Sequence, residues 1–103
     1  MLDKNIIDKI LKAILKVVIP EKVILFGSQA RGEARHDSDY DILIIKSGIE
    51  NSIKVESEIY MNLDINAGVD IIVATPEIVD KYKDAIGCIF KPALNEGLVI
   101  YGR

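Results

Sequence analysis

The chain has 103 residues, half of them hydrophobic, with 13 lysines and arginines against 16 acids and a net charge of −3. That length predicts one domain, residues 1–103, with apolar side chains enough for a core without disulfides or a structural metal, and the acidic balance argues against a dedicated nucleic-acid binder, so nucleic acid is not expected as a direct partner. No apolar run approaches a membrane span, and Asp3, Lys4, Asp8 and Lys9 break any signal peptide, so a soluble cytoplasmic protein without a membrane partner is expected.

In chain order, Ile6, Ile7, Ile10, Leu11, Ile14, Leu15 and Val18 recur at helical spacing. They predict an amphipathic helix packed on a core, with Asp3 as N-cap and Pro20 blocking its continuation. A strand over 22–27 follows, then a glycine turn into a short helix near 28–33 and a polar loop at 34–38. A second strand covers 39–46. Asn51 and Ser52 cap a helix running to about residue 66, with Ile53, Ile59 and Leu63 inward and Ala67-Gly68 as its stop. The third strand is Val69–Ala74.

Thr75-Pro76-Glu77 starts another helix with a capping hydroxyl, a proline at the first position and an acid in the first turn. A helix over 84–95, disturbed by Pro92, ends at Glu96-Gly97, and Leu98-Val99-Ile100-Tyr101 closes the chain as a strand. Alternating strands and helices predict an α/β (α+β) fold, a small mixed sheet of about four strands flanked by helices. Cys88, the one cysteine, reads as a small core residue in a reducing compartment.

The chemistry concentrates in Gly27-Ser28-Gln29-Ala30-Arg31-Gly32 and in Asp39-Tyr40-Asp41. A helix start after a glycine leaves backbone N–H groups unpaired, which suits phosphate, and the Ser28 hydroxyl adds a donor. The segment is neither a P-loop nor a dinucleotide fingerprint. Only three of the basic residues are arginines, and Arg31 and Arg35 both fall inside the motif segment. Arginine's planar fork matches phosphate oxygens better than lysine does.

Asp39 and Asp41 lie one residue apart on a strand, which places both carboxylates on one face and sends Tyr40 and Ile42 into the core. Two such acids repel each other unless a cation lies between them, and hard oxygen ligands suit Mg²⁺ together with substrate phosphates. Asp70 opens another apolar strand. It is either a third carboxylate of the same site or an acid exposed at the strand end, and both readings stay open. His36, between Arg35 and Asp37, reads as a solvent-exposed loop residue without a catalytic role.

Gly27-Ser28-Gln29-Ala30-Arg31-Gly32, then Ser38-Asp39-Tyr40-Asp41-Ile42, then Asp70 in its apolar strand resemble the DNA polymerase beta nucleotidyltransferase superfamily. In length the chain is similar to its minimal nucleotidyltransferases, the MNT-type antitoxins of HEPN/MNT toxin–antitoxin pairs. The resemblance covers nearly the whole chain and implies that Gly27 and Ser28 hold the triphosphate of ATP. It implies that Asp39 and Asp41 bind Mg²⁺ and that Asp70 binds a second Mg²⁺ and orients or deprotonates an acceptor hydroxyl. Arg31 either neutralises charge near the phosphates or braces the loop by pairing with an acid.

The function so implied is transfer of AMP from ATP to a tyrosine hydroxyl of a HEPN ribonuclease toxin, in a homo- or hetero-oligomer. The chain is short for an acceptor-binding domain of its own, so a partner is expected to present the acceptor. Two rivals remain: a binding module that neutralises the toxin without catalysis, and nucleotidyl transfer to a small molecule or an RNA end.

Overall fold

Asp3 starts the first helix as its sequence predicts, its carboxylate accepting from the N–H groups of Asn5 and Ile6 at 3.0 and 3.3 Å. The structure, a computed structural model, describes residues 3–32 and 39–102. The expected loop at 34–38, with Arg35, His36, Asp37 and Ser38, lies outside the described residues. Helix α1 (Lys4–Leu15) buries Ile7, Ile10, Ala13 and Ile14. It ends short of Val18 because the N–H groups of both Val17 and Val18 turn onto the Ile14 carbonyl, each at 2.9 Å.

The chain continues through β1 (Lys22–Phe26), the single turn α2 (Ser28–Arg31), β2 (Tyr40–Ile45), α3 (Ser52–Asn62), β3 (Val69–Ala74), α4 (Pro76–Tyr82), α5 (Phe90–Glu96) and β4 (Leu98–Gly102). The four strands form one mixed sheet in the order β3-β2-β1-β4. β2 and β3 are parallel, while β1 runs antiparallel to both β2 and β4. This is the α/β architecture the alternation predicts.

Strand alternation divides the apolar residues between two faces. Val23, Leu25, Tyr40, Ile42, Ile44, Ile71 and Val73 pack with α1 and with Ile59 of α3. Ile24, Phe26, Leu43, Ile45 and Ala74 pack with Val79 of α4 and Ala93 of α5. Tyr40 and Ile42 are buried, as the strand reading requires.

Five expectations need correction. The Asn51 side chain does cap α3, accepting from the Lys54 N–H at 3.1 Å, but the helix stops at Asn62 rather than near 66. The Asn62 amide donates to the Glu58 carbonyl at 2.9 Å and Leu63 turns extended. Ile59 is fully buried, yet Ile53 is 72% exposed. Six residues at about 100° each put Ile53 roughly 120° away from the buried stripe.

Residues 84–89 form turns rather than helix, and α5 begins only at Phe90. Pro92 therefore falls in the first turn, where a missing N–H costs no helical bond, and it does not disturb the helix. Cys88, in the connection before α5, is half-buried rather than a core residue.

The outer edge of β3 is closed by side chains from α3. The Tyr60 hydroxyl accepts from the Ile71 N–H at 2.7 Å, and the Glu56 carboxylate accepts from the Val73 N–H at 2.8 Å. The one-turn spacing of Glu56 and Tyr60 on the helix matches the alternate outward N–H groups of an edge strand. Tyr60→Phe is expected to cost about 1 kcal/mol by leaving the Ile71 N–H without its acceptor. Chemical denaturation measures that loss, and hydrogen exchange should quicken first at Ile71.

Candidate functional site

The site lies where β1 runs out and β2 and β3 begin. Phe26 is the register partner of Asp41, so Gly27 follows directly beside that aspartate. Gly27 has φ +79°, a left-handed conformation that L side chains rarely adopt. A Cβ built on Gly27 would run into the Asp41 carboxylate, meeting Oδ2 and lying 3.2 Å from Cγ. Glycine is thus required twice here, for the turn and for the room it leaves.

Ser28 opens α2, and the Arg31 N–H donates to the Gly27 carbonyl at 3.1 Å. The N–H groups that start this turn precede its hydrogen-bond ladder. Gly32, at φ +73°, ends the turn in the left-handed conformation.

In the parallel ladder Asp41 is the register partner of Asp70, which puts their Cα atoms on adjacent strands about 4.8 Å apart and their side chains on one face. Asp39 is two residues before Asp41 and shares that face. The Tyr40 N–H donates to the Gly68 carbonyl at 2.9 Å, which extends the ladder back to Gly68. Gly68 stands opposite Asp39, and a Cβ there would strike the Asp39 carboxylate, 2.8 Å from its Cγ. The three acids therefore occupy the sheet face that also carries α4 and α5, beyond Leu43 and Ile72.

Their closeness shows in protonation. The Asp41 carboxyl is pushed above its ordinary value of 3.8, first by burial, then by the charges of Asp70 and Asp39, then by a hydrogen bond with Asp70; the Arg31 guanidinium pulls it partly back. Asp41 is half-buried, while Asp39 and Asp70 are exposed. A carboxylate strained in this way is relieved by a cation, and the donors are all hard oxygens. Among the described residues no three acids, histidines or cysteines converge closely enough to form an all-protein cage. The set suits a cation that takes one or two carboxylates and completes its shell with phosphate oxygens and water, as Mg²⁺ does.

Arg31 is exposed, with Nη1 3.5 Å from Glu96 Oε2 at the end of α5. It ties the turn to α5 and also acts on Asp41 electrostatically. Sequence reading missed two of these neighbours. Gly68 reads only as a helix stop, and no local pattern links Glu96 to a residue 65 positions earlier.

The fold is shared with solved structures. A candidate nucleotidyltransferase from Sulfolobus solfataricus superposes with a TM-score of 0.66 at 24% identity, over 96% of this chain and 79% of that one. A toxin–antitoxin structure with AMP-PNP gives 0.63 at 18% identity, over 93% and 73%. The toxin–antitoxin pair MntA–HpeT, in a mutant with two aspartates changed to glutamate, gives 0.61 at 16% identity, over 99% and 75%. Among the described residues no helix is long and apolar enough to cross a membrane. No curated protein matches the chain significantly. The polymerase beta nucleotidyltransferase model matches residues 7–103, and the chain belongs to that family.

Proposed function

We propose that residues 1–103 form a single minimal nucleotidyltransferase domain that acts as an antitoxin, transferring AMP from ATP to a tyrosine hydroxyl of a HEPN-type toxin. The observation that carries this reading is the register that sets Asp41 beside Asp70, with Asp39 on the same face and the Gly27 turn against Asp41. The AMP-PNP in one structural neighbour and the toxin–antitoxin pairing of two of them support the choice of nucleotide and partner.

In this reading the backbone after Gly27 and the Ser28 hydroxyl hold the triphosphate. Asp39 and Asp41 would hold one Mg²⁺ and Asp70 a second. When bound, Mg²⁺ supplies charge neutralisation to the attacking and leaving oxygens of an in-line displacement. Asp70 orients the acceptor hydroxyl and takes up its proton. The acceptor oxygen bonds to the α-phosphorus, the bond from that phosphorus to the bridging oxygen breaks, and pyrophosphate departs.

Catalysis and simple toxin binding separate on one comparison. Asp39→Asn with Asp41→Asn should leave complex formation intact and abolish neutralisation of the toxin in cells. Full neutralisation by that variant would favour the binding module instead.

Arg31 also separates into its two roles. Its ion pair with Glu96 is exposed and contributes at most about 1 kcal/mol, so Glu96→Gln should barely change stability. If the guanidinium also neutralises phosphate, Arg31→Ala should weaken ATP binding about tenfold, and Glu96→Gln should not. Calorimetric titration of ATP against both variants checks this.

A further inference from the structure

At Gly68 the missing side chain leaves room for a neighbouring carboxylate. The Asp39 carboxylate lies where a Gly68 side chain would be, with Oδ1 and Cγ both inside contact distance of a built Cβ. Gly68 is not among the glycines with positive φ, so no left-handed backbone demands glycine there. This contrasts with Gly27, where conformation and space both demand glycine. At Gly68 only the space matters.

That space has a definite place in the site. Gly68 precedes Asp70 by two residues, and the ladder continues from Asp70 opposite Asp41 back to the Gly68 carbonyl, which accepts from Tyr40. Asp39 thus lies over the sheet on the face of Asp41 and Asp70, close enough for its charge to act on Asp41. A methyl group at position 68 would displace the Asp39 carboxylate from the place it occupies beside the other two acids.

We propose that Gly68 is a positioning residue for divalent-cation binding, acting through Asp39 by keeping open the space its carboxylate occupies. The inference rests on the nucleotidyltransferase reading of the acids given above. Gly68→Ala is expected to weaken Mn²⁺ binding about tenfold, the lower end of the range for losing a group that orients a metal ligand. The measurement is a titration of the full chain with Mn²⁺ in the presence of AMP-PNP, followed by electron paramagnetic resonance of the free ion.

Two further readouts distinguish positioning from a structural role. The ligand-free Gly68→Ala protein should melt no lower than wild type, because alanine restricts the unfolded chain and fits the native backbone. In an Asp39→Asn background, Gly68→Ala should cause no further loss of Mn²⁺ affinity, since the residue it acts through no longer carries the charge. Equal Mn²⁺ affinity in Gly68→Ala and wild type would overturn the proposal while leaving the site reading intact. A lowered melting temperature with an undiminished effect in the Asp39→Asn background would overturn it in favour of a structural role. Failure of wild type itself to bind Mn²⁺ with AMP-PNP would overturn the site reading and the proposal together.

Discussion

Asp41→Asn is expected to raise the melting temperature of the ligand-free protein by a few degrees while lowering nucleotidyl transfer by on the order of 10³-fold. The two effects have one cause. Asp41 is half-buried opposite Asp70 and near Asp39, and its carboxyl is raised above 3.8 by burial first and by those two charges next. Like charges directly opposite in a ladder cost about 0.2–1 kcal/mol, and a neutral amide of the same shape removes that cost. In the proposed function the same substitution also removes a charge that would hold the cation.

The pH dependence follows from the direction of the shift. A carboxyl whose folded pKa exceeds its unfolded value leaves the native state holding more protons than the unfolded state within that window. Stability therefore falls as pH rises from about 3.8 through the raised folded value, and the full penalty is present above it. The stability advantage of Asp41→Asn should be full at neutral pH and shrink as pH is lowered through this window. Mg²⁺ with ATP should stabilise wild type by mass action and leave Asp41→Asn nearly unmoved. Thermal melts across pH, with and without Mg²⁺ and ATP, read all of these effects.

Gly27→Ala should act in the opposite direction on stability. Its φ of +79° strains any L side chain by roughly 1–2 kcal/mol, and the new methyl group collides with the Asp41 carboxylate. The expected result is a melting temperature lower by about 4–15 °C together with loss of ATP binding. Adding Asp41→Ala should recover the part due to collision but not the part due to backbone strain. Equal stability of the single and double variants would mean that the contact between the two positions carries no energy.

The candidate residues are more legible in the sequence than the geometry that organises them. Asp39 and Asp41 are legible because a strand's two-residue repeat fixes their common face, and the buried Tyr40 and Ile42 bear this out. Asp70 stays open between two readings in the sequence because the register of its strand against β2 has no local signature. The parallel register to Asp41 supplies that information. Gly68 and Glu96 stayed hidden for a similar reason: each acts across the fold on a residue remote in the chain, and neither bears a local signature. The helix errors were local. Ile53 is apolar but lies off the buried stripe of α3, and Pro92 marks the beginning of α5 rather than a break within it.

The most direct test of the proposed function is intact-mass spectrometry of a HEPN-type toxin after incubation with this chain, ATP and Mg²⁺. The expected result is addition of AMP to a tyrosine of that protein by wild type, abolished by Asp39→Asn with Asp41→Asn. An unmodified HEPN protein, or the same adduct formed by the doubly substituted chain, would contradict a nucleotidyltransferase acting through these acids.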